Sequence, residues 1–145
     1  MDSISKGYLG SLITEKAFVY NNFNVFKPAT ENGKVDMIVE KNNQYWKLQI
    51  KTIQVEKSGK NSTRKVIPVR KISHNMGEYK ISYYSSTIVD YFIGVDIETE
   101  DIYVIPSEIT EQYKSSIGIT KVQSFKNNFK LKGIPEEVDN EEIQL

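Results

Sequence analysis

The chain has 145 residues, a formal net charge of zero and 39% apolar side chains, among them nine Tyr, six Phe and one Trp. This length and composition fit a globular chain with a substantial core and exclude a disordered one. There are no cysteines, which removes disulfides, thiolate metal sites and cysteine nucleophiles together.

No apolar run approaches the roughly 20 residues needed to span a bilayer. The opening "MDSISKGYLG" lacks the basic start and apolar stretch of a signal peptide, so a soluble intracellular protein with no membrane partner is expected. The zero net charge hides an uneven distribution. Residues 47–80 carry nine basic against two acidic side chains, whereas residues 81–145 carry five against twelve. A central basic block suits a face that meets an anion, although Lys and Arg on a long solvated hairpin would give the same count.

In chain order, residues 7–21 place Leu9, Leu12, Ile13, Ala17 and Tyr20 at helical spacing and predict an amphipathic first helix. "NFNVFKP" follows as a short strand stopped by Pro28, and Asn32-Gly33 marks a turn that readily takes positive φ. "KVDMIVE" is a strand with Val35, Met37 and Val39 on one face and Asp36 and Ile38 on the other. After the turn "KNNQ", "YWKLQIKTIQV" is a strand whose Trp46, Leu48 and Ile50 oppose Gln49 and Lys51. Residues 56–65 are polar and read as an exposed loop, and "VIPVRKI" as a short extended piece confined to an edge or bend by Pro68. "YFIGVDI" and "DIYVIP" are strands joined by the acidic turn "ETED", and Pro106-Ser107-Glu108 opens a short helix. The expected domain runs over 1–135 with a basic insertion around 54–75, and residues 136–145 form an acidic tail. A helix, a run of strands and a small helix give an α+β (mixed α/β) architecture.

Asp36 and Gln49 lie on consecutive strands joined by a short turn, and Gln49 and Lys51 share a face because strand neighbours two apart point the same way. In the expected register Asp36 comes alongside them, so a carboxylate, an amide oxygen and an ammonium converge at a sheet edge. Phosphodiester cleavage asks for such a set: hard oxygen ligands for Mg²⁺, with Mn²⁺ or Ca²⁺ as alternatives, and a cation near the attacking water. The backbone carbonyl of Ile50 adds a further oxygen ligand. Alternation on a half-solvated hairpin produces the same pattern without any site.

The G-x-x-G of the first helix, "FNVFKP", "VDMIVE" and "KLQIKT" together resemble the PD-(D/E)xK nuclease superfamily, over roughly residues 6–53 and more weakly over "DYFIGVDIETEDIYVIPSEI". The pattern looks most like the small bacterial endonucleases encoded within group I introns, in which the second acidic residue of the motif becomes Gln. The resemblance implies a restriction-endonuclease-like core, a central mixed sheet flanked by helices. It also implies Asp36 as metal ligand, Gln49 as a neutral second ligand and Lys51 as the catalytic lysine. Related nucleases carry a Glu directly after G-x-x-G, where this chain has Ser11. Either Glu15, one helical turn later, takes that role, or Ser11 stands where a glutamate has been replaced to inactivate the enzyme.

Lys57, Lys60, Arg64, Lys65, Arg70 and Lys71 are candidates for phosphate contacts, with some Arg reading guanine, and Asn61, Ser62 and Thr63 for base edges. His74, a lone histidine, cannot build a His-rich metal site and suits a DNA contact better than a catalytic base. Tyr79, Tyr83, Tyr84 and Tyr91 could stack on bases, although half-buried packing is the commoner role of alternating strand Tyr. The reading that unites these residues is a sequence-specific, Mg²⁺-dependent double-stranded DNA endonuclease for intron homing, in a bacterial cytoplasm. A Holliday-junction resolvase, a repair nuclease and a catalytically silent DNA-binding module are the alternatives. So small a domain contacts a limited stretch of duplex, and the resemblance points to a homotetramer with subunit contacts in the acidic C-terminal part.

Overall fold

The structure, a computed structural model, describes residues 1–30, 33–75, 78–83 and 88–135, with residues 70–75 and 78–83 described as backbone. The first helix, α1 (Ser3–Tyr20), begins where the Asp2 carboxylate accepts the Ser5 N–H at 2.7 Å, leaving a capped first turn. It ends at Asn21, whose side-chain amide donates to the Ala17 carbonyl, and Asn22 turns the chain with φ 67°.

Five strands form the central sheet in the order β1-β2-β3-β8-β9: β1 (Asn24–Phe26), β2 (Met37–Lys41), β3 (Gln44–Thr52), β8 (Tyr91–Val95) and β9 (Ile102–Pro106). The β3–β8 pair is parallel and the others antiparallel, so the sheet is mixed, as the family resemblance implied. The β2–β3 turn places Asn42 and Asn43 at φ 53° and 64°, the left-handed pair that matches the twist of a tight hairpin. A second sheet, in the order β10-β5-β4, comprises β4 (Gln54–Lys57), β5 (Thr63–Pro68) and β10 (Ser116–Gly118). The strands β6 (Arg70–Asn75) and β7 (Glu78–Tyr83) pair as a separate antiparallel ribbon. A single short turn, α2 (Ser107–Thr110), follows β9.

Two apolar clusters hold these layers. Phe18, Phe23, Met37, Trp46, Leu48, Ile93 and Val95 pack between α1 and the central sheet, with Phe18 edge-on to Phe23 and Phe129 at 5.1 Å. On the other face, Phe92, Tyr103 and Ile105 meet Ile67 of β5, Ile117 of β10 and Val122. Each fully buried side chain of this size contributes roughly 1.5–3 kcal/mol. No helix among the described residues is long and apolar enough to cross a membrane.

Two local expectations are corrected. The packed row of α1 is Gly10, Thr14 and Phe18 flanked by Ile13 and Ala17, whereas Leu12 and Tyr20 are 39% and 86% exposed. The helix carries apolar side chains on both sides, so periodicity alone did not choose its inner face. Residues 56–65 are not a loop: Glu56 pairs with Arg64 and Lys57 with Thr63 in the β4–β5 hairpin, and only residues 58–62 turn. A solvated two-stranded ribbon shows no buried side to betray it in sequence. The segment "EYKISY", for which no element was expected, is the strand β7. Asn32 and the acidic tail at 136–145 lie outside the described residues.

Candidate active site

The sheet itself creates the opening in which the candidate residues meet. The Ile53 N–H donates to the Val95 carbonyl at 2.7 Å, so odd-numbered residues of β3 direct their backbone groups at β8 and even-numbered ones at β2. The β2 strand begins at Met37, opposite Leu48, and beyond it β3 continues without a ladder partner on that edge. Asp36 occupies the gap. Its own N–H donates to the Leu48 carbonyl at 2.8 Å, which aligns its side chain with the unpaired edge of β3.

There a single carboxylate oxygen, Asp36 Oδ2, accepts two hydrogen bonds, from Gln49 Nε2 and from the Ile50 backbone N–H, each at 2.8 Å. Charge-assisted bonds of this kind fix the carboxylate firmly. They also fix the Gln49 amide, because the flipped orientation would set Oε1 against Oδ2. Gln49 is 6% exposed, and its Oε1 is buried with no hydrogen-bond partner among the described residues. Leaving such an acceptor unpaired costs about 1–3 kcal/mol. The Ile50 carbonyl leaves the same edge as its N–H, into the gap beyond β2. One carboxylate oxygen, one amide oxygen and one carbonyl oxygen are hard donors, the chemistry that Mg²⁺, Mn²⁺ or Ca²⁺ prefers. The orphaned Gln49 Oε1 fits such an ion; the donor set brings only one negative charge.

Lys51 follows on the same face as Gln49 and pairs in register with Gly94 of β8. Gly94 is required there: a Cβ would stand 2.5 Å from Ile67 Cδ1 of β5. The close approach of β5 brings Pro68 beside Lys51, and both line a groove with Ser3, Gly7, Thr52 and Gln54.

The other candidates are placed less uniformly. Ser11 is half-buried on α1, and Glu15 is ion-paired with Lys27 at 2.6 Å. Among the described residues no three Asp, Glu or His side chains converge on one point. Lys57, Lys60 and Asn61 are exposed on the β4–β5 hairpin and its tip. Arg64 donates through Nε to Glu56 Oε1 at 2.8 Å, and Lys65 is bound to Asp96 at 2.7 Å. Burial pushes the Asp96 carboxyl up, but the Lys65 hydrogen bond and the Thr99 and Glu98 N–H groups outweigh it and hold it below the usual carboxylate value. The same contact, hydrogen bond first and charge second, raises the Lys65 ammonium. Two of the expected phosphate contacts are thus already engaged with carboxylates. Arg70, Lys71 and His74 lie in β6, and Tyr79 and Tyr83 in β7, where side chains are outside the described residues, as is Tyr84 entirely. Tyr91 is no stacking platform: it is 6% exposed, its hydroxyl accepts the Lys132 N–H at 2.8 Å, and burial pushes its phenol up. Asp96 and Gly94 escaped the sequence reading because their partners, Lys65 and Ile67, are distant in the chain.

The family model described as PD-(D/E)XK endonuclease matches residues 1–132. Among solved structures the chain is similar to that of a bacterial homing endonuclease, I-Ssp6803I, with a TM-score of 0.74 and 18% sequence identity. The likeness covers 94% of this chain and 86% of that one, and at such identity it speaks for the fold. No curated protein sequence matches the chain.

Proposed function

We propose, for a chain that belongs to the PD-(D/E)XK endonuclease family, that Asp36, Gln49 and Lys51 form the centre of a metal-dependent double-stranded DNA endonuclease. The observation that carries this reading is the buried Gln49 Oε1, unpartnered among the described residues, beside an Asp36 carboxylate already fixed by two donors. Asp36, Gln49 Oε1 and the Ile50 carbonyl are the groups that would hold the ion, with Mg²⁺ the proposed species. A bound divalent ion supplies Lewis-acid polarisation of the phosphate and a more acidic water.

The chain's own residues do the rest. The double hydrogen bond to Oδ2 leaves Asp36 in one orientation, so its carboxylate needs no reorganisation at the moment of reaction. Lys51 offers its ammonium to a non-bridging phosphate oxygen, where negative charge grows as water attacks phosphorus. The P–O3′ bond breaks, and the products are a 5′-phosphate and a 3′-hydroxyl. Ser11 stands at the position from which relatives would add a carboxylate.

Intron homing at a long, specific target in a bacterial cytoplasm extends the proposal. It requires several copies of so small a chain, a homotetramer with contacts through the acidic C-terminal part, because one copy spans too little duplex. Lys57, Lys60 and Asn61 on the exposed hairpin are the proposed duplex contacts. A catalytically silent DNA-binding module is the second reading. It is favoured by the lack, among the described residues, of any cluster of three acidic or histidine side chains and by the pairing of Glu15 with Lys27.

Plasmid nicking, titrated with Mg²⁺ after chelator treatment, decides between them. Cleavage that needs the ion and disappears in Lys51→Ala is expected. Duplex binding without cleavage at any ion concentration, in the chain and in its Ser11→Glu variant alike, would establish the silent module.

A further inference from the structure

We propose that Gly7 is a clearance residue: its missing side chain opens the groove over Lys51 to the sugar–phosphate backbone of the strand being cut. The inference rests on the nuclease reading above and concerns how substrate enters that site.

Residues 3, 7, 10, 14 and 18 follow one another at spacings of three and four, so they form one row along α1. The row faces the central sheet. Gly10, Thr14 and Phe18 are buried against it, while Ser3 and Gly7 run past the end of the sheet and line the groove. The two glycines in this row have different explanations. A Cβ at Gly10 would stand 3.0 Å from Thr52 Cγ2 and 3.9 Å from Val95 Cβ, so close packing on β3 and β8 calls for glycine there. A Cβ at Gly7 would meet nothing within 4 Å among the described residues beyond its own stretch of helix. Gly7 also lies inside α1 with no positive φ, where glycine is among the poorest residues for helix stability. Neither packing nor backbone conformation accounts for it.

The open space belongs to the groove bounded by Lys51, Thr52, Gln54 and Pro68. Lys51 lines this groove, so a phosphodiester that reaches it from this side passes with its flanking sugars beside α1. A side chain at position 7 would project into that passage. The groups around it are an ammonium, the hydroxyls of Ser3 and Thr52 and the amide of Gln54. They suit phosphate oxygens, so what they grip is backbone common to all sequences.

The test uses a random-sequence duplex at one moderate salt concentration, with thermal unfolding measured in parallel on the full chain, Gly7→Ala and Gly7→Gln. Both substitutions remove the helix-interior glycine. Gly7→Ala should raise Tm by about 2–4 °C, and Gly7→Gln should also raise it. Function should move the opposite way and with side-chain size. Gly7→Gln should lower the ion-dependent nicking rate by about a hundredfold, Gly7→Ala by less. If the rate falls within the noise of direct measurement, the duplex affinity should show the same order. Nicking or affinity within twofold of the parent in Gly7→Gln overturns the inference and leaves the nuclease reading intact. A fall in Tm in either variant overturns it too, because position 7 would then be a packing position. A parent chain that neither binds nor nicks the duplex defeats the nuclease reading itself, and this inference with it.

Discussion

Gln49→Glu probes the contact on which the site is built. In the parent chain Gln49 Nε2 donates to Asp36 Oδ2 at 2.8 Å. The substitution is close to isosteric, so it keeps the volume and sets an oxygen where the donor was. Two carboxylates at this separation repel by about 6 kcal/mol at an effective dielectric constant of 20, and the lost charge-assisted hydrogen bond adds about 1.5–3 kcal/mol. Proton uptake and solvent at the half-buried Asp36 discount this, leaving an expected destabilisation of about 2–4 kcal/mol at pH 8. The shared proton gives the sign of the pH dependence. A carboxyl whose folded pKa is raised contributes stability below its unfolded value, about 4.3 for Glu, and loses it as pH rises through the folded value. The variant should therefore approach parental stability near pH 4 and fall behind above it. A divalent ion reverses the deficit by linkage, with about 2.7 kcal/mol recovered at an ion concentration one hundred times its Kd. Urea denaturation at pH 4.5 and pH 8, with and without Mg²⁺, measures all three effects. Parental stability at pH 8 without metal, together with no selective gain from Mg²⁺, would refute the facing of these two side chains.

On the proposed nuclease reading, Ser11→Glu should raise Mg²⁺-dependent nicking at least tenfold by adding a carboxylate to a one-charge donor set; no gain would count against a role for position 11. Asp96→Ala removes the Lys65 partner and the acceptor of the Glu98 and Thr99 N–H groups. A loss of about 1–3 kcal/mol in urea denaturation is expected, mostly from the turn, since Lys65 is substantially exposed. Because the Asp96 carboxyl is held below its ordinary value, that contribution is present above the unfolded value of 3.8 and is lost as pH falls through the lower folded one. The difference between parent and Asp96→Ala should accordingly shrink below about pH 4. Gly94→Ala drives a Cβ to 2.5 Å from Ile67 and should cost about 1–3 kcal/mol, read as a lowered Tm. An unchanged Tm would mean that β5 does not rest on Gly94.

Much of this molecule could be read along the chain because the relevant signals are local. The Asn42-Asn43 turn and the alternation of Met37 and Val39 against Trp46 and Leu48 fix the β2–β3 hairpin and its register. Register fixes which side chains stand opposite one another, so Asp36, Gln49 and the Ile50 backbone were bound to meet once the hairpin formed. The strands at Tyr91–Val95 and Ile102–Pro106 were similarly plain, being continuous β-branched and aromatic runs around an acidic turn.

Other features follow from contacts between segments with no shared local signal. The inner face of α1 depended on how closely Gly10 could approach Thr52, not on its apolar period. The basic hairpin looked like a loop because neither of its faces is wholly buried, and two of its cations proved to be held by Glu56 and Asp96. Position along the chain determined which groups are two-residue neighbours on a strand. Only the packing of distant strands decided which oxygen would be left buried without a donor, and which glycine would stand beside empty space.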